Sequence, residues 1–131
     1  MPRLDRVLET SLYVADPEQS ARWYEDVFGF TVVSRSERLI AMSVMNQQLL
    51  LLFKKGLSAD LPKTPHDGEG QLHLAFAIPT EELPAWEAWL AQRGIVIEDK
   101  THWERGGWSL YFRDPDGHLL EVATPGAWTV Y

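Results

Sequence analysis

Alternating apolar and polar positions divide the chain into the same series of elements twice. Val7–Val14 (V-L-E-T-S-L-Y-V) is rich in β-branched and aromatic residues and predicts a strand. Asp16-Pro17 then marks a helix start, with Asp16 at the N-cap and Pro17 at the first helical position. Trp23, Tyr24, Val27 and Phe28 follow at helical spacing, and Gly29 closes the helix. Strands are predicted over Phe30–Ser34, Leu39–Val44 and Gln48–Lys54, with a turn at Asn46 between the last two. Lys55–Gly70 changes to Gly, Pro, Asp and Lys with little periodicity, which predicts a linker or mobile loop. Gln71–Ile78 (Q-L-H-L-A-F-A-I) predicts a strand, and Thr80–Arg93 a helix begun at Thr80 and ended by Gly94. Three further strands fit Ile95–Lys100, Gly107–Arg113 and His118–Thr124, with Asp114-Pro115-Asp116-Gly117 as the turn between the last two.

The order is strand, helix, three strands, and then the same again. It predicts an α+β chain with two tandem βαβββ modules in a single domain: module 1 at about 5–56, a linker at about 57–70, and module 2 at about 71–126. The repeat can be placed in register. Glu9 precedes Gly29 by twenty residues and His73 precedes Gly94 by twenty-one, while Leu51 and Glu121 each stand five residues before a glycine. Glu9 therefore corresponds to His73, and Leu51 to Glu121.

Successive strand residues point to opposite faces. Glu9, His73 and Glu121 thus sit mid-strand, the first two on faces with small or polar neighbours such as Ser11, Ala75 and Ala77. An unpaired buried carboxylate is costly, and one imidazole with two carboxylates around a cation would remove that cost. Nitrogen and oxygen donors without sulfur suit one divalent ion of iron, manganese, cobalt, nickel or zinc. From spacing alone, a solvent-facing glutamate and a satisfied core histidine are the more ordinary readings.

Composition narrows the partner. A formal charge of −7, with acids scattered, argues against nucleic acid. The longest apolar run, Leu49–Phe53, is far short of the roughly 20 residues of a membrane span. The N-terminus shows no secretory leader, and the absence of cysteine removes thiolate chemistry and fits a reducing cytoplasm. A small molecule is the expected partner.

L-E-T-S-L-Y-V-A-D-P-E-Q-S-A-R-W-Y-E-D-V-F-G-F, H-L-A-F-A-I and S-L-Y-F-R-D-P-D-G-H-L-L-E-V together resemble the vicinal oxygen chelate superfamily, which includes glyoxalase I, extradiol dioxygenases, fosfomycin-resistance enzymes and bleomycin-binding proteins. The resemblance implies two modules forming a curved mixed sheet around a metal pocket, with Glu9, His73 and Glu121 as ligands, and a homodimer. It also implies a metalloenzyme of dioxygenase, lyase or isomerase type, or, in the alternative, a metal-free drug-sequestering protein. Glyoxalase I would require a carboxylate near Leu51, where the run is Leu49-Leu50-Leu51-Leu52. Ser109 and Tyr111 match hydroxyl residues near the substrate of fosfomycin-resistance enzymes and are the candidate catalytic groups. Thr101, however, stands where their phosphonate-binding lysine is expected, and the Trp103–Gly107 loop lacks their usual pattern. Arg113 is a candidate anchor for a substrate carboxylate, with pairing to Asp114 or Asp116 as the structural alternative. Trp103 and Trp108 are candidate walls of the pocket mouth, or ballast for a curved sheet.

Overall fold

The computed structural model describes every residue from Met1 to Tyr131. Local capping chemistry sets the first helix. The Asp16 carboxylate accepts from the Glu18 and Gln19 amides at 3.0 and 3.2 Å, Pro17 opens α1 (Pro17–Phe28), and Gly29 ends it at φ 69°. Asp16→Ala is expected to lower stability by about 1 kcal/mol, read from urea denaturation midpoints. Around α1 stand β1 (Glu9–Val14), β2 (Thr31–Arg35), β3 (Leu39–Val44) and β4 (Gln48–Lys54). The β3–β4 turn places Met45 and Asn46 at φ 54° and 56°, the left-handed pair that matches hairpin twist.

The second series has β5 (His73–Ala77), α2 (Leu83–Gln92), β6 (Asp99–His102), β7 (Trp108–Arg113) and β8 (Leu119–Ala123). The second helix begins later than the Thr80 start predicted from sequence. Pro84 has no N–H to give the Thr80 carbonyl, so the chain first makes a 3-10 turn, Thr80–Glu82, in which the Leu83 amide reaches that carbonyl. No side-chain capping bond forms at Pro79 or Glu82. β6 is also displaced toward the C-terminus of the predicted Ile95–Lys100, since pairing with β7 runs from Asp99↔Tyr111 to His102↔Trp108.

The strands make two four-stranded mixed sheets, ordered β1-β4-β3-β2 and β5-β8-β7-β6, one from each predicted module. Each module closes on itself because its first strand pairs in parallel with its own last strand. The chain accordingly falls into two compact units, Met1–Gly70 and Gln71–Tyr131. In the first, Leu12, Val14, Ile40, Met42, Leu50 and Leu52 are buried on one face, as are Ala21, Tyr24 and Val27 of α1. In the second, Leu110, Phe112, Leu120 and Val122 are wholly buried on one face, as is Leu90 of α2. The opposite face of the first sheet carries the apolar cluster of Ala41, Leu51 and Phe53, whereas that of the second carries His73, Glu121, Ser109 and Tyr111.

The ladders confirm the module equivalence. Glu9 pairs with Leu49 as His73 pairs with Leu119, and Ser11 with Leu51 as Ala75 with Glu121. The Lys55–Gly70 segment packs within the first unit. Ser58 is buried and accepts from the Arg38 guanidinium at 2.8 Å, while His66 Nδ1 meets the Tyr13 hydroxyl at 2.6 Å. His66 also stands edge-on to Phe53 at 4.5 Å.

Candidate metal centre

His73 on β5 and Glu121 on β8 meet on the open face of the second sheet. Ala75, beside Glu121 in the ladder, is too small to separate them. His73 Nε2 lies 3.2 Å from Glu121 Oε2, the imidazole half exposed and the carboxylate buried. On the other side of the ring, Nδ1 is 2.9 Å from the Leu119 carbonyl oxygen. A carbonyl can only accept, so Nδ1 carries a proton and donates it, which leaves Nε2 as the nitrogen that faces Glu121. In a neutral ring that nitrogen presents a lone pair to a carboxylate oxygen. The repulsion is relieved by a proton on Nε2 or by a cation. A ring tied through Nδ1–H to a backbone carbonyl is the common second-layer arrangement of metal-binding histidines. The donor set therefore fits a divalent ion.

The other Glu121 oxygen, Oε1, accepts a hydrogen bond from the hydroxyl of Ser109, which is fully buried on β7. Ser109 in turn accepts from the Trp103 indole Nε1 at 2.8 Å. Tyr111 pairs with Glu121 in the β7–β8 ladder. Its ring lies 6.3 Å from that of His73. Burial, then the Glu121 charge, push the Tyr111 hydroxyl above its ordinary value of 10.0. The phenol consequently stays protonated at neutral pH and acts as a donor. Its contribution to stability is complete below the unfolded value and declines as pH rises through the folded one. In an ultraviolet titration, Glu121→Gln is expected to bring the Tyr111 ionisation to lower pH than in the parent, with Tyr111→Phe identifying the signal.

Not every candidate gathers here. Arg113 shares the face, but its guanidinium donates to both Glu98 carboxylate oxygens at 3.1 Å and to the Gly117 carbonyl at 3.0 Å. The ion pair is therefore with Glu98 rather than with Asp114 or Asp116. Trp108 lies on the opposite face of β7, its ring stacked on His102 at 4.2 Å. Glu9 is exposed on β1 of the first unit. Leu51 belongs to an apolar cluster with Ala41 and Phe53, so the position equivalent to Glu121 offers no ligand. No three His, Cys, Asp or Glu side chains are gathered closely enough to form a metal-holding group.

The family model of the Glyoxalase/Bleomycin resistance protein/Dioxygenase superfamily matches residues 3–122. The chain belongs to this superfamily. Among its relatives, it is 32% identical over 112 residues to the metallothiol transferase FosB of Lysinibacillus sphaericus, covering 85% of this chain and 76% of that protein. It is 28% identical over 124 residues to the virulence protein STM3117 of Salmonella typhimurium, covering 92% and 84% respectively. The crystal structure of a lactoylglutathione lyase from Agrobacterium tumefaciens superposes with a TM-score of 0.90 at 29% identity, covering 98% of this chain and 99% of that one. The expected α+β architecture of two βαβββ modules is that of the superfamily. Two elements of the site were beyond sequence reasoning. The Leu119 carbonyl is a backbone group with no signature of its own, and neither a wall nor sheet ballast at Trp103 implies an indole that donates to Ser109.

Proposed function

We propose that this chain is a divalent-metal-dependent enzyme acting on a small molecule that chelates the ion through two neighbouring oxygens. His73 and Glu121 would hold the ion. Glu9, the counterpart of His73 in ladder register, would be the third protein ligand. The single observation behind this reading is the Nε2–Oε2 approach of 3.2 Å, with Nδ1 already committed to a carbonyl. The nitrogen and oxygen donors favour iron, manganese, cobalt, nickel or zinc. When bound, such an ion polarises the substrate oxygens and stabilises negative charge developing on them.

The chain's own residues supply the rest. Ser109 fixes the orientation of the Glu121 carboxylate, and the protonated Tyr111 hydroxyl can donate to a substrate oxygen that gains charge. Leu51 in its apolar cluster supplies no fourth ligand, which supports an open site and argues against a four-ligand glyoxalase I. Dioxygenase, lyase and isomerase reactions suit such a site, and the similarity to FosB adds thiol transfer. A homodimer is part of the proposal and is read from sedimentation. Protein purified without chelator is expected to hold about one divalent ion per chain. Catechols, 2-oxo acids, methylglyoxal–thiol adducts and fosfomycin with a thiol form the substrate panel. Protein that arrives empty and takes up none of the five ions would overturn the metal reading.

One observation favours a second reading. With both ring nitrogens protonated, His73 satisfies Glu121 as an ion pair without any metal. That arrangement suits a ligand-sequestering protein of the bleomycin-resistance type, which would bind an aromatic drug with the same affinity before and after chelator treatment.

A further inference from the structure

We propose that Trp103 and Ser109 are positioning residues that aim the Glu121 carboxylate, a role that rests on the metal-site reading above. The indole Nε1 can only donate, and an ionised carboxylate can only accept. Ser109 stands between the two with a single hydroxyl proton. The Trp103 indole occupies one of its lone pairs at 2.8 Å, and its proton is turned to Glu121 Oε1. The direction of the relay is therefore fixed from Trp103 through Ser109 to Glu121. Full burial of Ser109 and near-full burial of Glu121 exclude water as a competing partner and strengthen each bond. The outcome is a carboxylate with Oε1 engaged and Oε2 free to face His73 Nε2.

The backbone around Trp103 supports this assignment. Trp103 lies just past the end of β6, in a tight turn where its amide donates to the Gly107 carbonyl at 2.8 Å and its own carbonyl accepts from Gly106 at 2.9 Å. This turn folds the indole back over the start of β7, six residues from Ser109 in sequence. Trp103 is thus held by both its main chain and its ring nitrogen, and the hairpin transmits that order to the carboxylate. A wall residue for substrate would need its ring alone. Here the polar edge of the ring is committed inward.

The test uses Zn²⁺ alone, titrated calorimetrically into the parent, Trp103→Phe, Ser109→Ala and the double variant, with thermal unfolding recorded for each. Trp103→Phe keeps the aromatic bulk and removes only the donor. Each single variant is expected to weaken Zn²⁺ binding about tenfold, the usual effect of losing an outer-layer partner. Because Trp103 acts through Ser109, the double variant should bind no more weakly than Ser109→Ala. The indole N–H resonance of Trp103, assigned by its loss in Trp103→Phe, should also shift in metal-free Ser109→Ala and Glu121→Ala. Parent-like Zn²⁺ affinity in Trp103→Phe, or additive losses in the double variant, overturns the relay. A parent that binds no Zn²⁺ counts against the metal reading instead. The metal-free indole resonance then judges the relay alone: a shift in Glu121→Ala supports it and an unmoved resonance overturns it.

Discussion

Replacing His73 or Glu121 with alanine is expected to weaken divalent-metal binding by about a hundredfold or more, beyond the tenfold-to-hundredfold cost of losing an outer partner. The two substitutions fail for different reasons. His73→Ala removes the only nitrogen donor from the pair, while its half-exposed position lets solvent fill the gap, so the metal-free fold is expected to stay near parental stability. Glu121→Ala also takes away the buried acceptor for the Ser109 hydroxyl. Its metal-free form should therefore lose about 1–3 kcal/mol as well, the cost of a buried polar group left unsatisfied. Calorimetric metal titration and urea denaturation on the same preparations separate the two effects. His73→Ala protein that binds metal like the parent would remove His73 from the site.

The second large effect is expected at Gly107. Its Cα faces the backbone of the chain's last turn, where a methyl group would collide with the Ala127 nitrogen and the Gly126 carbonyl carbon and stand 2.9 Å from the Pro125 oxygen. All three are main-chain atoms, so no rotamer change makes room. A methyl built on Gly126, itself held at φ 97°, would in turn stand 2.6 Å from the Gly107 nitrogen, so neither backbone has room for a side chain where they pass. Gly107→Ala should cost about 3 kcal/mol, the upper range of overpacking. Its reach extends beyond stability, because the Gly107 carbonyl accepts from the Trp103 amide and the residue leads directly into Trp108 and Ser109. Metal affinity should fall together with the unfolding midpoint. Gly94→Ala offers a comparison, since no atom lies within 4 Å of its added methyl and only its φ of 66° is strained.

What sequence patterns reveal here follows from how local each signal is. The first helix was legible to the residue because Asp16, Pro17 and Gly29 act within one turn of themselves. Strands β3 and β4 were legible in the same way, since alternation and the Asn46 turn are short-range. The second helix start was misplaced because Pro84 exerts its effect backward on the Thr80 carbonyl, overriding an apparently suitable cap. The loop after β4 looked featureless because its ties, His66 to Tyr13 and Ser58 to Arg38, join residues 53 and 20 positions apart.

The same distinction applies to the site. That Ser109 and Tyr111 share one face of β7, and Leu119 and Glu121 one face of β8, follows from alternation alone. That His73 and Glu121 touch depends on the parallel β5–β8 register, a non-local pairing that the repeat implied but could not dimension. Trp108 was grouped with Trp103 by composition, although strand parity separates them: Trp108 alternates away from Ser109 and stacks on His102. Arg113 had the right face and the wrong partner in prospect, because Glu98 reaches it only across the β6–β7 edge.

Every role proposed for the site depends on His73 binding a metal through Nε2. Long-range proton–nitrogen correlation spectra of the imidazoles, recorded during Zn²⁺ addition, test it directly. The expected result is a His73 ring that keeps its Nδ1 proton on the Leu119 carbonyl while its Nε2 resonance moves to the metal-bound position at about one ion per chain. A His73 spectrum unchanged by Zn²⁺, with Nε2 still facing Glu121 as an ion pair, would contradict it.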